Sequence, residues 1–186
     1  MDYTLTFKDH ESELIKACIA KERWAQRKLY EEYYGLMMGV CLRYSTNSED
    51  ARDILHDAFI KVFFNIHKYK PGTSLKSWIK RIVVNTAIDQ YRKMQRRRSE
   101  DLDTVSGVMT KGPDAMDMYA EKELLQSIQQ LTPAYRSVFN LYIIEGYAHK
   151  EVAKLLNITE STSRSNLVKA RSKLREILNN MGMRNE

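Results

Sequence analysis

Apolar residues recur at intervals of three and four along most of this chain, the spacing of one face of an α-helix. The clearest stripe runs Ala51, Ile54, Leu55, Ala58, Phe59, Val62, Phe63 and predicts one long amphipathic helix. Upstream, Leu14, Ala17, Cys18, Trp24, Leu29 and Tyr33 predict helix from Glu11 to Tyr34 with a break near Lys21, and Leu36 to Tyr44 continues the pattern. Ser45, Thr46 and Asn47 turn the chain. Ser48 is expected to cap the next helix, with Glu49 and Asp50 suiting its positive end.

The segment Lys70-Pro71-Gly72-Thr73-Ser74 interrupts the period, and Ser74 can cap a helix through Trp78, Ile79, Ile82, Val83, Thr86, Ala87 and Tyr91. That helix ends in the basic run Arg92 to Arg98. Residues 99–118 show no sustained period and hold Gly107, Gly112 and Pro113, so they read as a flexible linker; fully extended it reaches at most ~65–70 Å. Four more helices follow, Ala120–Leu131, Pro133–Glu145, Lys150–Leu156 and Glu160–Asn180, with Thr132-Pro133 as cap and first residue of one and Gly146 as its stop. The expected fold is all-α: a helical domain over 1–98, the linker over 99–118 and a second helical domain over 119–186.

Composition agrees, since three prolines and seven glycines leave little room for β-turns. Charge adds organisation. Residues 1–98 carry 19 basic against 12 acidic side chains, 99–118 carry 1 against 5, and 119–186 carry 10 against 7. Two basic lobes flanking an acidic connector suit a polyanionic partner, although a solvated basic face has the same charge count.

No window holds eighteen consecutive apolar residues, and Met1 to His10 has neither a basic start nor an apolar core, so a soluble cytoplasmic protein without membrane insertion is expected. Cys18 and Cys41 sit at apolar helix positions and read as buried thiols. His10, His56, His67 and His149 are scattered, and neither HExxH nor a glycine-rich phosphate loop occurs. The reading calls for no catalysis, no cofactor, no metal and no small-molecule substrate.

Function is carried by three stretches. Val152, Ala153, Leu155 and Leu156 form the inner face of a short helix; Asn157 occupies the turn, Ile158 plugs the core and Thr159 caps the next helix, which together make a helix-turn-helix. Its second helix leaves Arg164, Ser165, Val168, Lys169, Arg171, Ser172 and Arg175 outward, a surface suited to a major groove, though a plain helical hairpin with a wet basic face has the same pattern. On the earlier helix Trp78 and Tyr91 are interspersed with Lys80, Arg81, Asn85, Gln90 and Arg92, a mix of rings, amides and cations that unpaired bases require. Trp78 and Tyr91 are equally suited to anchoring the core. The polar side of the Asp50 to Phe64 stripe, with Asp50, Asp53, His56, Asp57 and Lys61, would repel DNA and reads as a protein-docking face or a solvated one.

The order basic helical domain, acidic linker, helix-turn-helix resembles a group 4, extracytoplasmic-function sigma factor. Residues 48–61 are similar to its region 2.2, residues 77–92 to regions 2.3 and 2.4, residues 146–173 to region 4.2, and residues 11–44 to region 2.1. The resemblance implies that Asp50, Asp53, Ile54, His56, Asp57, Phe59 and Lys61 dock on the β′ clamp helices of core RNA polymerase. It implies that Lys70, Thr73 and Ser74 form a pocket for a flipped −10 base beside Asn85, with Trp78, Lys80, Arg81 and Arg92 on the same promoter element. It further implies that Arg164, Ser165, Asn166, Val168, Lys169 and Arg171 read −35 duplex DNA, that the β flap is a second polymerase contact, and that an anti-sigma factor regulates the chain. Four positions depart from the family pattern. His56 stands for the usual Gln, Ala148 for a capping Ser at a forfeit of ~1 kcal/mol, Ser163 for an apolar residue with looser packing expected, and Asn166 for a basic residue. The rival reading is a two-domain regulator that binds palindromic duplex DNA without polymerase.

Overall fold

A computed structural model describes residues 3–100 and 119–180. Among the described residues eight α-helices follow in order: α1 (Tyr3–Ile19), α2 (Arg23–Tyr44), α3 (Ser48–Asn65), α4 (Leu75–Glu100), α5 (Tyr119–Gln129), α6 (Pro133–Phe139), α7 (His149–Leu156) and α8 (Glu160–Asn180). One 3₁₀ turn, Ile66–Lys68, follows α3, and a π-helical turn, Asn140–Ile144, follows α6. No strand occurs among the described residues. Of the expected linker, 99–118, only Ser99 and Glu100 are described, and they extend α4; residues 101–118 lie outside the described residues.

Contacts sort the chain into two compact units, residues 1–41 with 52–86 and residues 42–51 with 87–186. The first has a core of Leu14, Leu29, Met37, Leu55, Val62, Ile66, Ile79 and Val83, from α1 to α4 and the 3₁₀ turn after α3. Cys18 and Cys41 are free and buried, and burial pushes the Cys18 thiol up to about 11. Helix α1 ends where expected, at Lys21. There Glu22 N–H donates to the Ala17 carbonyl and Lys21 N–H to that of Cys18, with Lys21 at φ 61°, an αL closure made without glycine.

The cap of α3 differs from expectation. Asp50 N–H donates to Asn47 Oδ1 at 2.8 Å and the Asn47 amide returns a bond to the Asp50 carboxylate at 3.0 Å. Asn47 therefore caps the helix, and Ser48 is its first residue: the Asn47 amide accepts at its oxygen and donates at its nitrogen, so it holds both the Asp50 backbone and the Asp50 carboxylate. Ser74 does cap α4, accepting from Ser77 N–H at 3.2 Å.

In the second unit, Thr132 accepts from Tyr135 N–H with Pro133 at the first helical position. The helix expected over Pro133–Glu145 widens into the π turn at Asn140, and Gly146 (φ 78°) ends it. Ile128, Leu131, Ala170, Leu174 and Ile177, with Tyr135 and Phe139 against them, form the hydrophobic cluster of α5, α6 and α8.

Candidate nucleic-acid and polymerase interfaces

Within the first unit the loop before α4 is built from inside. Tyr69 is buried, and its hydroxyl donates to the Thr73 carbonyl at 2.5 Å. Thr73 Oγ1 donates to the Lys70 carbonyl at 2.8 Å, and Gly72 (φ 88°) supplies the left-handed residue that the turn needs. The loop is thus a formed rim with Lys70, Thr73 and Ser74 exposed. Trp78 packs edge-on against Tyr69, ring centroids 5.7 Å apart, and is half-buried, so the same indole anchors the loop and shows an edge to solvent.

On α4, Arg81 and Asn85 are exposed and follow Trp78 at three and seven residues, one stripe of the helix, and Arg92 continues it two turns on. Lys80 stands about 200° round the axis from Trp78 and does not share that stripe. Thr86, between them in sequence, is buried and donates to the Ile82 carbonyl, which belongs to the core side.

The α3 surface requires a correction. Ile54 and Phe59 are 3% and 2% exposed, so they pack inward and offer a partner nothing. The inward register of Leu55, Ala58, Phe59 and Val62 instead turns Ile60 and Phe64 out, at 55% and 74% exposure. Asp53, His56 and Asp57 are exposed beside them, and His56 stacks on Tyr30 at 6.4 Å. Two bare apolar side chains thus stand on the same helix as exposed carboxylates and an imidazole. Ile60 and Phe64 lie outside the apolar stripe read from the sequence and were not among the residues expected to dock.

The helix-turn-helix is assembled as its spacing predicts. Asn157 adopts αL (φ 55°), Ile158 N–H closes on the Ala153 carbonyl, and Thr159 Oγ1 accepts from Thr162 N–H at 3.0 Å. Helix α8 buries Ser163, Leu167, Ala170, Leu174 and Ile177. Arg164, Ser165, Val168, Lys169 and Arg171 face out, Val168 at 68% exposure. Asn166 does not join them: it is half-buried on the flank of the helix and lines a cavity with Tyr91, Arg92 and Thr162.

Residues 29–98 match the sigma-70 region 2 family model, and residues 121–174 match that of sigma-70 region 4. ECF RNA polymerase sigma factor SigE of Mycolicibacterium smegmatis is 30% identical over 156 residues, 81% of this chain and 60% of that protein. The chain belongs to the sigma-70 family. ECF RNA polymerase sigma factor SigM of Mycobacterium tuberculosis is 25% identical over 168 residues, covering 90% of this sigma factor and 84% of SigM. The fold is that of the sigma factor RpoE of Bartonella quintana, solved with the anti-sigma factor NepR, at TM-score 0.54 and 18% identity over 82% of this chain and 96% of that one.

Two departures from the family pattern acquire a physical account. Ala148 cannot return a side-chain bond, but Glu151 accepts from Ala148 N–H at 2.8 Å, so half of a capping box remains at the start of α7. Ser163 does not loosen the packing as expected. It is fully buried, and its hydroxyl lies 2.9 Å from His149 Nδ1, while the His149 ring stacks on Tyr142 at 4.1 Å and 21°. The polar pair ties the first helix of this sigma factor's helix-turn-helix to the recognition helix where the family pattern would use an apolar contact. Burial, followed by the charges of Arg164 and Arg171, holds the His149 pKa below its ordinary 6.5, against the opposing pull of Glu160.

Among the described residues no group of histidine, cysteine and carboxylate side chains could hold a metal ion, and no helix is long and apolar enough to cross a membrane.

Proposed function

We propose that this sigma factor brings core RNA polymerase to a two-element promoter in the cytoplasm and promotes its melting, with no covalent chemistry of its own. The observation that carries the reading is the presence in one chain of two different exposed surfaces suited to nucleic acid. One is an outward duplex-reading face on α8; the other is a loop-and-stripe surface of Lys70, Thr73, Ser74, Trp78, Arg81 and Asn85 suited to unpaired bases. An ordinary repressor needs only the first.

The α3 patch, with Ile60 and Phe64 at its centre and Asp53, His56, Asp57 and Lys61 around them, is assigned to the β′ clamp helices. The region from α5 to α8 is assigned to −35 duplex DNA and the β flap. Domains 1–98 and 119–186 then serve the −10 and −35 elements through the connector 99–118. Extruding a base costs a few kcal/mol, and one stacking contact returns about 1–3 kcal/mol. The loop and Asn85 therefore need only prefer the open strand by a similar amount to shift the melting equilibrium. An anti-sigma factor is the expected regulator, as for the structural relative.

The test is transcription in vitro with sigma-free core polymerase. Promoter-specific initiation that depends on this protein is expected, with Asn85→Ala retaining duplex −35 binding and losing open-complex formation. A core enzyme indifferent to the protein, or palindromic binding without polymerase, would refute the assignment.

A further inference from the structure

One hydroxyl hydrogen beneath the rim of the candidate −10 pocket has two acceptors. Tyr69 Oη lies 2.5 Å from the Thr73 carbonyl oxygen and 3.2 Å from Glu11 Oε1, and a phenol carries a single hydrogen to donate. Glu11 belongs to α1, 58 positions before Tyr69 in the chain, and all three residues lie in the first unit. Tyr69 is buried and its ring meets Trp78 edge-on at 5.7 Å, so the ring is held and only the hydrogen is free to turn. Burial, with the charge of Glu11 added, raises the Tyr69 pKa above its ordinary 10. The hydrogen therefore stays on the phenol at neutral pH, and its direction alone is open.

The two directions have different consequences. Turned to Thr73, the hydrogen fastens the exposed rim to the interior. Thr73 also closes the turn, since its N–H and its Oγ1 both donate to the Lys70 carbonyl, at 3.3 and 2.8 Å, about the left-handed Gly72. Turned to Glu11, the hydrogen ties Tyr69 to α1 and leaves the Thr73 carbonyl to water. The carbonyl has the shorter distance. The carboxylate is the stronger kind of acceptor, because bonds to an ionised oxygen are roughly twice as strong as neutral ones.

Resting on the sigma-factor reading, we propose that Tyr69 and Glu11 are positioning residues of the −10 pocket: the phenol hydrogen stiffens the rim of Lys70, Thr73 and Ser74, and the α1 carboxylate softens it by competing for that hydrogen. A stiffer rim has less freedom to lose when it takes an extruded base, so it holds the open strand longer. The two side chains then act with opposite sign. Two contacts that merely supported the fold would act with the same sign, since loss of either would loosen the rim.

The experiment compares full-length wild type, Tyr69→Phe, Glu11→Gln and the double variant. Both substitutions keep the shape of the side chain, and Tyr69→Phe keeps a ring against Trp78. Glu11→Gln exchanges the charged acceptor for a neutral one whose amide can itself donate to the phenol oxygen. Hydrogen exchange of the Thr73 amide reads rim opening in the free protein. The consequence is read as the lifetime of open complexes under competitor DNA, formed with core polymerase on a promoter that wild-type holoenzyme recovers from a random library. Tyr69→Phe is expected to speed exchange about fivefold, the factor for about 1 kcal/mol, and to shorten the lifetime similarly. Glu11→Gln is expected to slow exchange and lengthen the lifetime, by up to about fivefold, and to do nothing alongside Tyr69→Phe. Faster exchange in Glu11→Gln, an effect of Glu11→Gln that persists alongside Tyr69→Phe, or lifetimes that ignore the exchange shifts would overturn the proposal. A wild type that opens no promoter with core polymerase overturns the sigma-factor reading, and opposite exchange shifts in the free protein then still uphold the shared hydrogen.

Discussion

Replacing Ser163 by Ala removes one hydroxyl from a site with no exposure and leaves His149 Nδ1, 2.9 Å away, without that partner. An unsatisfied buried polar group costs about 1–3 kcal/mol, more than the net value of the bond itself. His149→Phe keeps a ring against Tyr142, where the imidazole now stacks at 4.1 Å, but strands the Ser163 hydroxyl at similar cost. The double variant leaves neither group stranded, so the two losses should not add, with a coupling of about 1–2 kcal/mol. Both tryptophans, Trp24 and Trp78, lie in the first unit, so their fluorescence is the wrong probe. Hydrogen exchange of α8 amides reads the local opening free energy directly. The same pair sets a pH dependence. Because the folded state holds the His149 pKa below 6.5, the unfolded state binds the proton more readily, so stability should fall as pH drops through and below about 6.5. His149→Phe should flatten that slope. Additive losses in the cycle, or an undiminished slope in His149→Phe, would refute this account of the helix-turn-helix core.

Other outcomes follow from burial and backbone geometry. Ile54→Ala should destabilise the fold by about 2–5 kcal/mol in a urea titration, whereas Phe64→Ala should leave the midpoint unchanged and weaken core-polymerase binding in a pull-down or anisotropy titration. Asn157→Ala should cost about 1 kcal/mol in thermal melts, since alanine resists φ 55°, with Asn157→Gly close to neutral. Lys169→Ala should lower the slope of log affinity against log salt for −35 duplex by about 1 if that ammonium meets a phosphate.

Legibility varied with the kind of signal. Helix positions, the Lys21 break, the Ser74, Thr132 and Thr159 caps and the αL turn at Asn157 were all readable, because each depends on residues within one or two turns. Facing was harder on α3: eight of its residues from Ile54 to Phe64 are apolar, and only packing decides that Phe59 goes in while Ile60 and Phe64 stay out. Asn166 was placed on the groove face by the family resemblance alone; it is half-buried on the flank of α8. The His149–Ser163 pair was unreadable as a pair. Each looked like an isolated anomaly fourteen residues from the other, and complementary polarity shows only when the two helices are packed together.

The ends of the helices separate what a chain can settle locally from what it must borrow. Helix α1 closes on itself through Lys21, and α7 through Asn157, each adopting αL at once and giving the terminal carbonyls a donor a few residues on. After Tyr44 the chain runs Ser45-Thr46-Asn47, and the one residue there that tolerates αL, Asn47, is committed to capping α3. The end of α2 therefore lacks such a closure, and its carbonyls stay available to Gln129, Asn140 and Arg136. A tight αL turn introduced at Ser45 would give the same carbonyls a donor a few residues on. Ser45 Oγ gives the Leu42 carbonyl one local donor at 3.5 Å, and the Arg43 and Tyr44 carbonyls take theirs from Asn140 and Arg136, far along the chain.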